Sequence, residues 1–262
     1  MTKMTIYPLD EFDGMRKAGK LAAQTLDFIT PYVKPGVTTG TLDDLLEKFM
    51  RDGGGIPATI GYHGYEKASC ISPNHVICHG IPSPTKVLNE GDIINIDITV
   101  ILNGWYGDTS RMYYVGKPSI KAKKLVETTY HTMMAGIAEC KPGNTTGDIG
   151  YVMQKMARSA GFSVVRDFCG HGIGRVFHSL PNILNYGVRG TGVELVPGMV
   201  FTVEPMLNVG THEALILSDG WTAITKDRKL SAQFEHSVGI TETSVEIFTL
   251  SEKGWTFPPY NE

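Results

Sequence analysis

Four acidic residues and one histidine stand where they could bind divalent metal ions. Asp97 and Asp108 lie in the strand-like segment IDITVILNGWYGDTSRMYYV, Glu204 and Glu235 lie in GMVFTVEPM and SAQFEHSVGIT, and His171 lies among glycines in CGHGIGRVFH. Acids in such apolar segments are rarely buried unless they are paired or bind an ion. Four carboxylates and one imidazole form an oxygen-rich ligand set that can hold two divalent ions about 3.5–4 Å apart, and such an ion pair activates water for hydrolysis.

A β-hairpin is predicted to position the two aspartates. Asn-Gly at 103–104 is the preferred pair for a type I′ turn between β-rich arms. If the strands pair directly across this turn, Asp97 faces Ser110, Thr99 faces Asp108, and all four share one face. Two carboxylates so close repel each other unless a cation lies between them, although a solvated polar face would also explain them. The opposite face is predicted to be apolar and to meet the helices, with Ile96, Ile98, Val100 and Tyr106.

An internal repeat relates the two halves of the chain. KPGVTTG begins at Lys34 and KPGNTTG begins 107 residues later, at Lys141. The same offset carries Asp97 onto Glu204, so two strand-like segments each deliver a carboxylate at one register. Two copies of about a hundred residues predict pseudo-twofold halves with a site between them.

Each half is predicted to contain helices followed by strands. Apolar residues at helical spacing predict helices over 11–33, 42–52, 119–139 and 146–160. Segments rich in Val, Ile, Phe and Thr predict strands over 92–102, 105–115, 198–209, 213–218 and 233–249. The predicted fold class is α+β, a curved, mainly antiparallel sheet with helices outside. We expect one catalytic domain over 1–262, made of halves at about 1–118 and 119–262.

The composition disfavours several classes of function. The formal net charge of -3 and the isoelectric point near 6.2 give no electrostatic reason to expect nucleic acid or an anionic membrane as a partner. No apolar run approaches the roughly 20 residues that span a bilayer, and the polar start of the sequence lacks the apolar stretch of a secretory signal. We therefore expect a cytoplasmic protein.

The sequence resembles the type I methionine aminopeptidases over essentially the whole chain. The matching motifs are NHVICHGIP, GDIINIDITVILNGWYGDTSRMYYVG, CGHGIGRVFH, GMVFTVEPM and SAQFEHSVGIT. The resemblance implies the pseudo-twofold "pita-bread" fold and removal of the initiator methionine from nascent proteins whose second residue is small. It implies attack on the scissile carbonyl by a hydroxide bridging two divalent ions of cobalt, manganese, iron or zinc. The implied ligands are Asp97, Asp108, His171, Glu204 and Glu235, with Asp108 and Glu235 bridging.

The resemblance also implies roles for residues around the metals. His79 would contact the nitrogen of the scissile bond, His178 would contact its carbonyl and the oxyanion, and Glu204 would accept a proton from the attacking water. A methionine side-chain pocket is implied at Tyr62, His63, Tyr65, Cys70, Phe177 and Trp221. Thr59 stands where family members often have cysteine, which could alter the pocket rim. A weaker similarity suggests a monovalent-cation site in the backbone around Asn74, Val76 and Ser231.

The implied partners are the N-termini of nascent polypeptides and the ribosome near its exit tunnel, and we expect a monomer. Prolidase and aminopeptidase P share the fold and its five ligands. In those enzymes, the part that resembles this chain follows a large N-terminal domain, which is missing from this sequence. A non-catalytic pita-bread domain that binds peptides is a further alternative, although such domains have lost the ligands that are all present here. Glu235 follows Glu204 by only 31 positions, which leaves no space for the helical insertion of type II enzymes.

Overall fold

The computed structural model describes residues 4–260. It contains four α-helices and a nine-stranded antiparallel sheet. The helices are α1 (Phe12–Ile29), α2 (Thr39–Asp52), α3 (Ile120–Ala138) and α4 (Thr146–Ser159). The strands are β1 (Ile56–Pro57), β2 (Cys70–Pro73), β3 (Val76–Cys78), β4 (Ile93–Leu102), β5 (Trp105–Tyr114), β6 (Ser163–Val164), β7 (Gly170–Gly172), β8 (Ser179–Ile183), β9 (Val200–Val203), β10 (Met206–Asn208), β11 (Ala214–Ile216), β12 (Ala223–Thr225), β13 (Ser231–Gln233), β14 (Glu235–Ile240) and β15 (Val245–Ile247).

The large sheet carries strands from both halves of the chain. Its order is β1-β4-β5-β14-β9-β7-β8, with β2 beside β4 and β15 beside β14. Two three-stranded sheets, β13-β10-β6 and β11-β12-β3, complete the strand structure. The helices pack on this frame around separate apolar clusters, one involving α1 and α2 and another involving α3 and α4. The predicted α+β class and the mainly antiparallel sheet are therefore confirmed.

The predicted helices are confirmed, but two predicted strands are each divided in the structure. The segment 198–209 forms β9 and β10, which lie in different sheets and are separated by Glu204-Pro205. Proline cannot donate a hydrogen bond to a strand ladder, so the break falls where the chain leaves the large sheet. The segment 233–249 forms β14 and β15, which are joined by a turn closed by Thr241 N–H donating to the Ser244 carbonyl at 2.9 Å.

The β4–β5 hairpin has the predicted register, with Asp97 opposite Ser110 and Thr99 opposite Asp108. Asn103 and Gly104 both have positive φ, 52° and 76°, as a type I′ turn requires. The prediction for Tyr106 is wrong. It pairs with Ile101, two residues from Thr99 and so on the same face as the aspartates, and its ring stacks on Phe177.

The internal repeat is visible in equivalent backbone contacts. Gly36 N–H donates to the Leu88 carbonyl at 2.8 Å, and at the same offset Gly143 N–H donates to the Leu195 carbonyl at 3.0 Å. Isolated bridges join Thr38 to Val87 and Thr145 to Glu194 in the same way. Both joints turn at a glycine with φ near +87°, a conformation that other residues rarely adopt.

A buried ion pair ties the first helix to the sheet. Arg111 on β5 donates to Asp27 on α1, and their side chains are 3% and 8% exposed. Asp27 also accepts a hydrogen bond from the Ser251 hydroxyl at 2.9 Å, which attaches the C-terminal segment to the same point.

Loss of the arginine is expected to destabilise the fold strongly. Arg111→Met leaves the Asp27 charge buried without its partner, so we expect the free energy of unfolding to fall by about 3–5 kcal/mol. Arg111→Met with Asp27→Asn is expected to recover most of the loss. Urea denaturation checks both variants, with Lys48→Met at the exposed Lys48–Asp52 pair as a control that should cost under about 1 kcal/mol. An Arg111→Met protein as stable as that control would contradict the prediction.

Among residues 4–260, no helix is both long and apolar enough to cross a membrane.

Candidate metal centre and substrate pocket

A cleft of about 580 Å³ lies over the centre of the large sheet and gathers almost all of the predicted site residues. The five predicted metal ligands line it, as do His79 and His178. The predicted methionine-pocket residues that line it are Tyr62, Tyr65, Cys70, Phe177 and Trp221. His63 is not among the lining residues. It is exposed, and its ring lies edge-on to Tyr62 at 4.4 Å between centroids.

Strand pairing explains why the carboxylates and the imidazole meet. Glu235 opens β14 opposite Ser110, whose other neighbour on β4 is Asp97. Asp108, His171 and Glu235 each offer a ligand atom, and these atoms lie within 4.8 Å of one another. His171 Nε2 is 3.6 Å from a carboxylate oxygen of Asp108 and 3.7 Å from one of Glu204.

The protonation of His171 suits a metal ligand. Burial, with His178 nearby, lowers the pKa of His171 to about 3, so its ring is neutral at physiological pH. Its Nδ1 lies 3.2 Å from the Gly172 carbonyl oxygen, which can only accept, so the ring hydrogen belongs on Nδ1. The Nε2 lone pair then faces the oxygens of Asp108 and Glu204. A cation among these electron-rich atoms would stabilise the arrangement.

The carboxylates also show the need for a cation. Burial raises the pKa of Asp97, Asp108, Glu204 and Glu235 above the usual range, to about 7 for Asp108, and neighbouring carboxylates raise those of Asp97, Glu204 and Glu235 further. Groups that resist ionisation when alone become good ligands when a divalent ion compensates their charge. The donor set of four carboxylates and a neutral imidazole therefore fits divalent metal ions.

The raised pKa of Asp108 predicts how pH affects the metal-free protein. Between about pH 4 and 7 the unfolded chain releases the proton of Asp108 while the folded protein keeps it. The folded state then binds more protons, so its stability falls as pH rises through this window. Asp108→Asn carries no such charge and is expected to gain roughly 2–4 kcal/mol over the metal-free wild type by pH 8.

Thermal unfolding of chelated proteins from pH 5 to 8 measures this difference. Buried histidines shift stability with pH in the opposite sense, but they are common to both proteins and largely cancel. Asp13→Asn, at a fully exposed carboxylate, is the matched control and should run parallel to the wild type. Parallel curves for Asp108→Asn as well would contradict the prediction.

Hydroxyl and amide groups hold the ligands in place. The Thr99 hydroxyl donates to Asp108 at 2.7 Å, and the Thr202 hydroxyl donates to Glu204 at 2.8 Å. Thr202 also accepts the backbone N–H of His171 at 3.0 Å, so one hydroxyl orients two ligands. Such contacts fix ligand geometry and can change metal affinity by roughly 10–100-fold.

Two histidines flank the carboxylates on the side of the aromatic pocket. His178 Nδ1 lies 2.8 Å from the Tyr62 hydroxyl, and burial lowers the pKa of His178 to about 4. His79 has a left-handed backbone with φ 56°, and its ring meets Phe168 edge-on at 5.4 Å. Strained backbone of this kind is concentrated at functional sites.

The aromatic pocket combines ring walls with a thiol. Tyr65 meets Trp221 edge-on at 5.0 Å, and Tyr62 lies 4.9 Å from Phe177. Cys70 faces the same space, and burial raises its pKa, so it is a neutral thiol. Such soft, polarisable walls suit a flexible apolar side chain.

Several cleft residues were not predicted from sequence. Phe168, Cys169, Ser179, Leu180, Asn182 and Met206 line the cleft without having been singled out. Their proximity to the GHGIGRVFH and VEPM motifs is the only sequence signal that could have indicated them. Thr59, which was predicted at the rim, lines the cleft and donates to the Lys67 carbonyl at 2.7 Å.

Comparison with known proteins gives consistent relatives. The profile of metallopeptidase family M24 matches residues 13–242. The methionine aminopeptidase of Rickettsia prowazekii (strain Madrid E) is 57% identical over 256 residues, which cover 97% of this chain and 98% of that protein. The methionine aminopeptidase of Escherichia coli (strain K12) is 50% identical, with 94% of each chain covered.

Solved structures show the same fold. The crystal structure of methionine aminopeptidase from Rickettsia prowazekii superposes with a TM-score of 0.93 at 56% identity, covering 94% of this chain and all of that one. The prolidase from Pyrococcus furiosus superposes with a TM-score of 0.75 at 22% identity, covering 93% of this chain and 65% of that one. The second likeness shows the fold alone, and both support the predicted pita-bread architecture.

Proposed function

Because the chain belongs to metallopeptidase family M24 and, within it, to the methionine aminopeptidases, we propose that it removes the N-terminal methionine of nascent polypeptides whose second residue is small. It is a metal-dependent hydrolase. The observation that carries the proposal is the placement of a buried carboxylate–imidazole cluster next to an aromatic pocket in one cleft. One part can hold the catalytic ions, and the other accepts the methionine side chain.

The proposed ligands of two divalent ions are Asp97, Asp108, His171, Glu204 and Glu235. Asp108 and Glu235 would be shared between the ions, as the resemblance to the type I methionine aminopeptidases implies, and both lie in one group of ligand atoms with His171. Cobalt, manganese, iron or zinc would suit this donor set. When bound, such ions polarise the carbonyl and supply an activated water.

The pocket is proposed to bind the substrate methionine. Tyr62, Tyr65, Phe177 and Trp221 enclose the thioether, which gains from sulfur–aromatic contact, and Cys70 closes the pocket. His63 stands outside this wall and would act at the rim. Binding the side chain here holds the first peptide bond beside the carboxylate cluster, which lowers the entropic cost of reaching the transition state.

Proton transfers and charge stabilisation are assigned to three residues. If the Tyr62 hydroxyl donates to His178 Nδ1, the ring hydrogen lies on Nε2, from which a neutral His178 donates to the scissile carbonyl oxygen. His79, which also lines the cleft, contacts the scissile nitrogen. Glu204 accepts a proton from the attacking water and returns it to the departing amine. Each transfer needs only groups that line the cleft.

Further assignments extend the proposal. A monovalent cation would bind near Asn74, Val76 and Ser231, where Ser231 N–H donates to the Asn74 carbonyl at 2.8 Å and the buried Ser231 hydroxyl has no hydrogen-bond partner among residues 4–260. The chain would act as a monomer and as one catalytic domain of two halves, at about 1–118 and 119–262. It would work in the cytoplasm, where nascent chains leave the ribosome near its exit tunnel.

Hydrolysis of three peptides tests the proposed function. Chelated protein and protein refilled with cobalt or manganese are assayed on Met-Ala-Ser, Met-Leu-Ser and Gly-Pro. Metal-dependent release of methionine from Met-Ala-Ser alone is expected. Cleavage of Gly-Pro alone would instead assign a proline-directed peptidase, and no cleavage of any peptide would favour a non-catalytic peptide-binding domain.

A further inference from the structure

A second cavity, of about 460 Å³, continues the active-site cleft. Leu180 and Asn182 line both spaces, so the two are connected along β8. We name the second space the downstream groove. Its walls are β8 on one side and the start of α4 with the loop 186–193 on the other, including Leu180, Asn182, Leu184, Thr146, Tyr186 and Val193.

Strand β8 leads directly out of the active site. It begins one residue after His178 and ends the order of the large sheet, with β7 as its only partner among the described strands. His171 pairs with Asn182, and the register then shifts so that Gly172 pairs with Ser179, which leaves Leu180 and Pro181 in a bulge of β8. Leu180 is half-buried and Asn182 is exposed, and both line the groove, whereas Pro181 and Ile183 are buried.

The opposite wall of the groove is held in a fixed shape. Val193 N–H donates to the Thr146 hydroxyl at 3.1 Å, and Gly147 N–H donates to the Thr191 carbonyl at 2.9 Å. A Cβ on Gly147 would lie 2.4 Å from the Val188 carbonyl oxygen, so the helix and the loop are in close backbone contact. The groove therefore exists before any ligand enters it.

The chemistry of the groove is apolar and uncharged. Among residues 4–260, no charged side chain lines it. Leu184 and Val193 are each 38% exposed, so both offer apolar surface to a ligand in the groove. A cavity of this size lies in the range that holds ligands of several hundred daltons, roughly two or three residues.

We propose that the downstream groove binds the fourth to sixth residues of the substrate polypeptide and favours uncharged, apolar side chains there. This inference rests on the proposed function, because the first peptide bond must lie beside His178. An extended chain advances about 3.3 Å per residue. A substrate that leaves the site alongside β8 therefore reaches Leu180 with its third residue and places the next three residues in the groove.

Peptides of two lengths test the groove. Met-Ala-Ser ends where the groove begins, whereas Met-Ala-Ser-Leu-Ala-Leu-Ala fills it. We expect kcat/KM of the wild type to be about tenfold higher for the heptapeptide, and this gain to vanish when both leucines of the peptide are replaced by aspartate. Val193→Asp and Leu184→Asp are each expected to lose the gain while hydrolysing Met-Ala-Ser at the wild-type rate.

Val188→Asp is the matched control. Val188 lies in the same loop and is 66% exposed, but it does not line the groove, so this variant should keep the tenfold gain. Equal kcat/KM for the two peptides in the wild type, or an undiminished gain in Val193→Asp, would overturn the inference. A change in sedimenting mass in Val193→Asp without a change in peptide kinetics would assign the groove to a second copy of the chain and overturn it too.

A binding measurement separates this inference from the proposed function. The product Ala-Ser-Leu-Ala-Leu-Ala is titrated calorimetrically into the metal-loaded protein. Binding to the wild type and Val188→Asp, with at least tenfold weaker binding to Val193→Asp, supports the groove even if no methionine is released from Met-Ala-Ser. Release of methionine together with equal binding by all three proteins would leave the proposed function intact and refute the groove.

Discussion

Glu235→Ala is expected to lower kcat/KM for Met-Ala-Ser by at least about a thousandfold. Glu235 contributes one of three ligand atoms that lie within 4.8 Å of one another, and it is 2% exposed. Its loss removes a shared ligand, and the ions supply several kcal/mol of transition-state stabilisation, which corresponds to a factor of this size. Steady-state assays in limiting manganese, with metal content measured by mass spectrometry, check both the rate and its cause.

Loss of the Glu235 charge should not weaken the metal-free fold. Burial and neighbouring carboxylates raise the pKa of Glu235, so its charge is a cost when no ion compensates it. We therefore expect chelated Glu235→Gln, which keeps the shape of the side chain, to be at least as stable as the chelated wild type at pH 8 while remaining inactive. Glu246→Ala, at a half-buried glutamate of the adjoining β15 that pairs with Arg16 outside the cleft, is the control and should keep full activity. Wild-type rates in Glu235→Ala would refute its assignment as a ligand.

Local sequence chemistry predicted the positions of the two hairpin aspartates because short-range rules determine them. The Asn103-Gly104 turn sets the register of β4 and β5, and the register alone brings Asp97 and Asp108 to one face. The repeat offset likewise relates Asp97 to Glu204. The error at Tyr106 came from placing it on the apolar face although it is two residues from Asp108, and alternation along a strand leaves no such freedom.

The side-chain contacts that sequence did not predict depend on segments that are far apart along the chain. The Tyr62 hydroxyl meets His178 across 116 residues of sequence, and Arg111 meets Asp27 across 84. Such pairs follow from the packing of whole elements, which neither propensity nor spacing encodes. The division of 198–209 into two strands shows the same limit, since the β-rich composition continues through Glu204-Pro205 while the chain changes sheets.

His178→Ala is expected to lower kcat for Met-Ala-Ser by roughly 10²–10³-fold with little change in KM. This is the usual cost of removing one donor that stabilises developing negative charge on a carbonyl oxygen. Because burial lowers the pKa of His178 to about 4, the ring is neutral from pH 6 to 8 and donates through a fixed hydrogen. Single-turnover hydrolysis by the metal-loaded variant measures the effect on the chemical step.

Tyr62→Phe tests whether the Tyr62 hydroxyl orients His178 as a hydrogen-bond donor. The variant keeps the aromatic ring against Phe177 but loses the hydroxyl that lies 2.8 Å from His178 Nδ1. Without the Tyr62 hydroxyl to favour a hydrogen on Nε2, the donating tautomer is less populated, so we expect a smaller loss in kcat, about tenfold. In His178→Ala the same tyrosine change should add almost nothing, because its target is gone. His131→Ala, at an exposed histidine on α3, should leave kcat unchanged, whereas additive losses in the double variant would mean that Tyr62 acts on the substrate directly and not through His178.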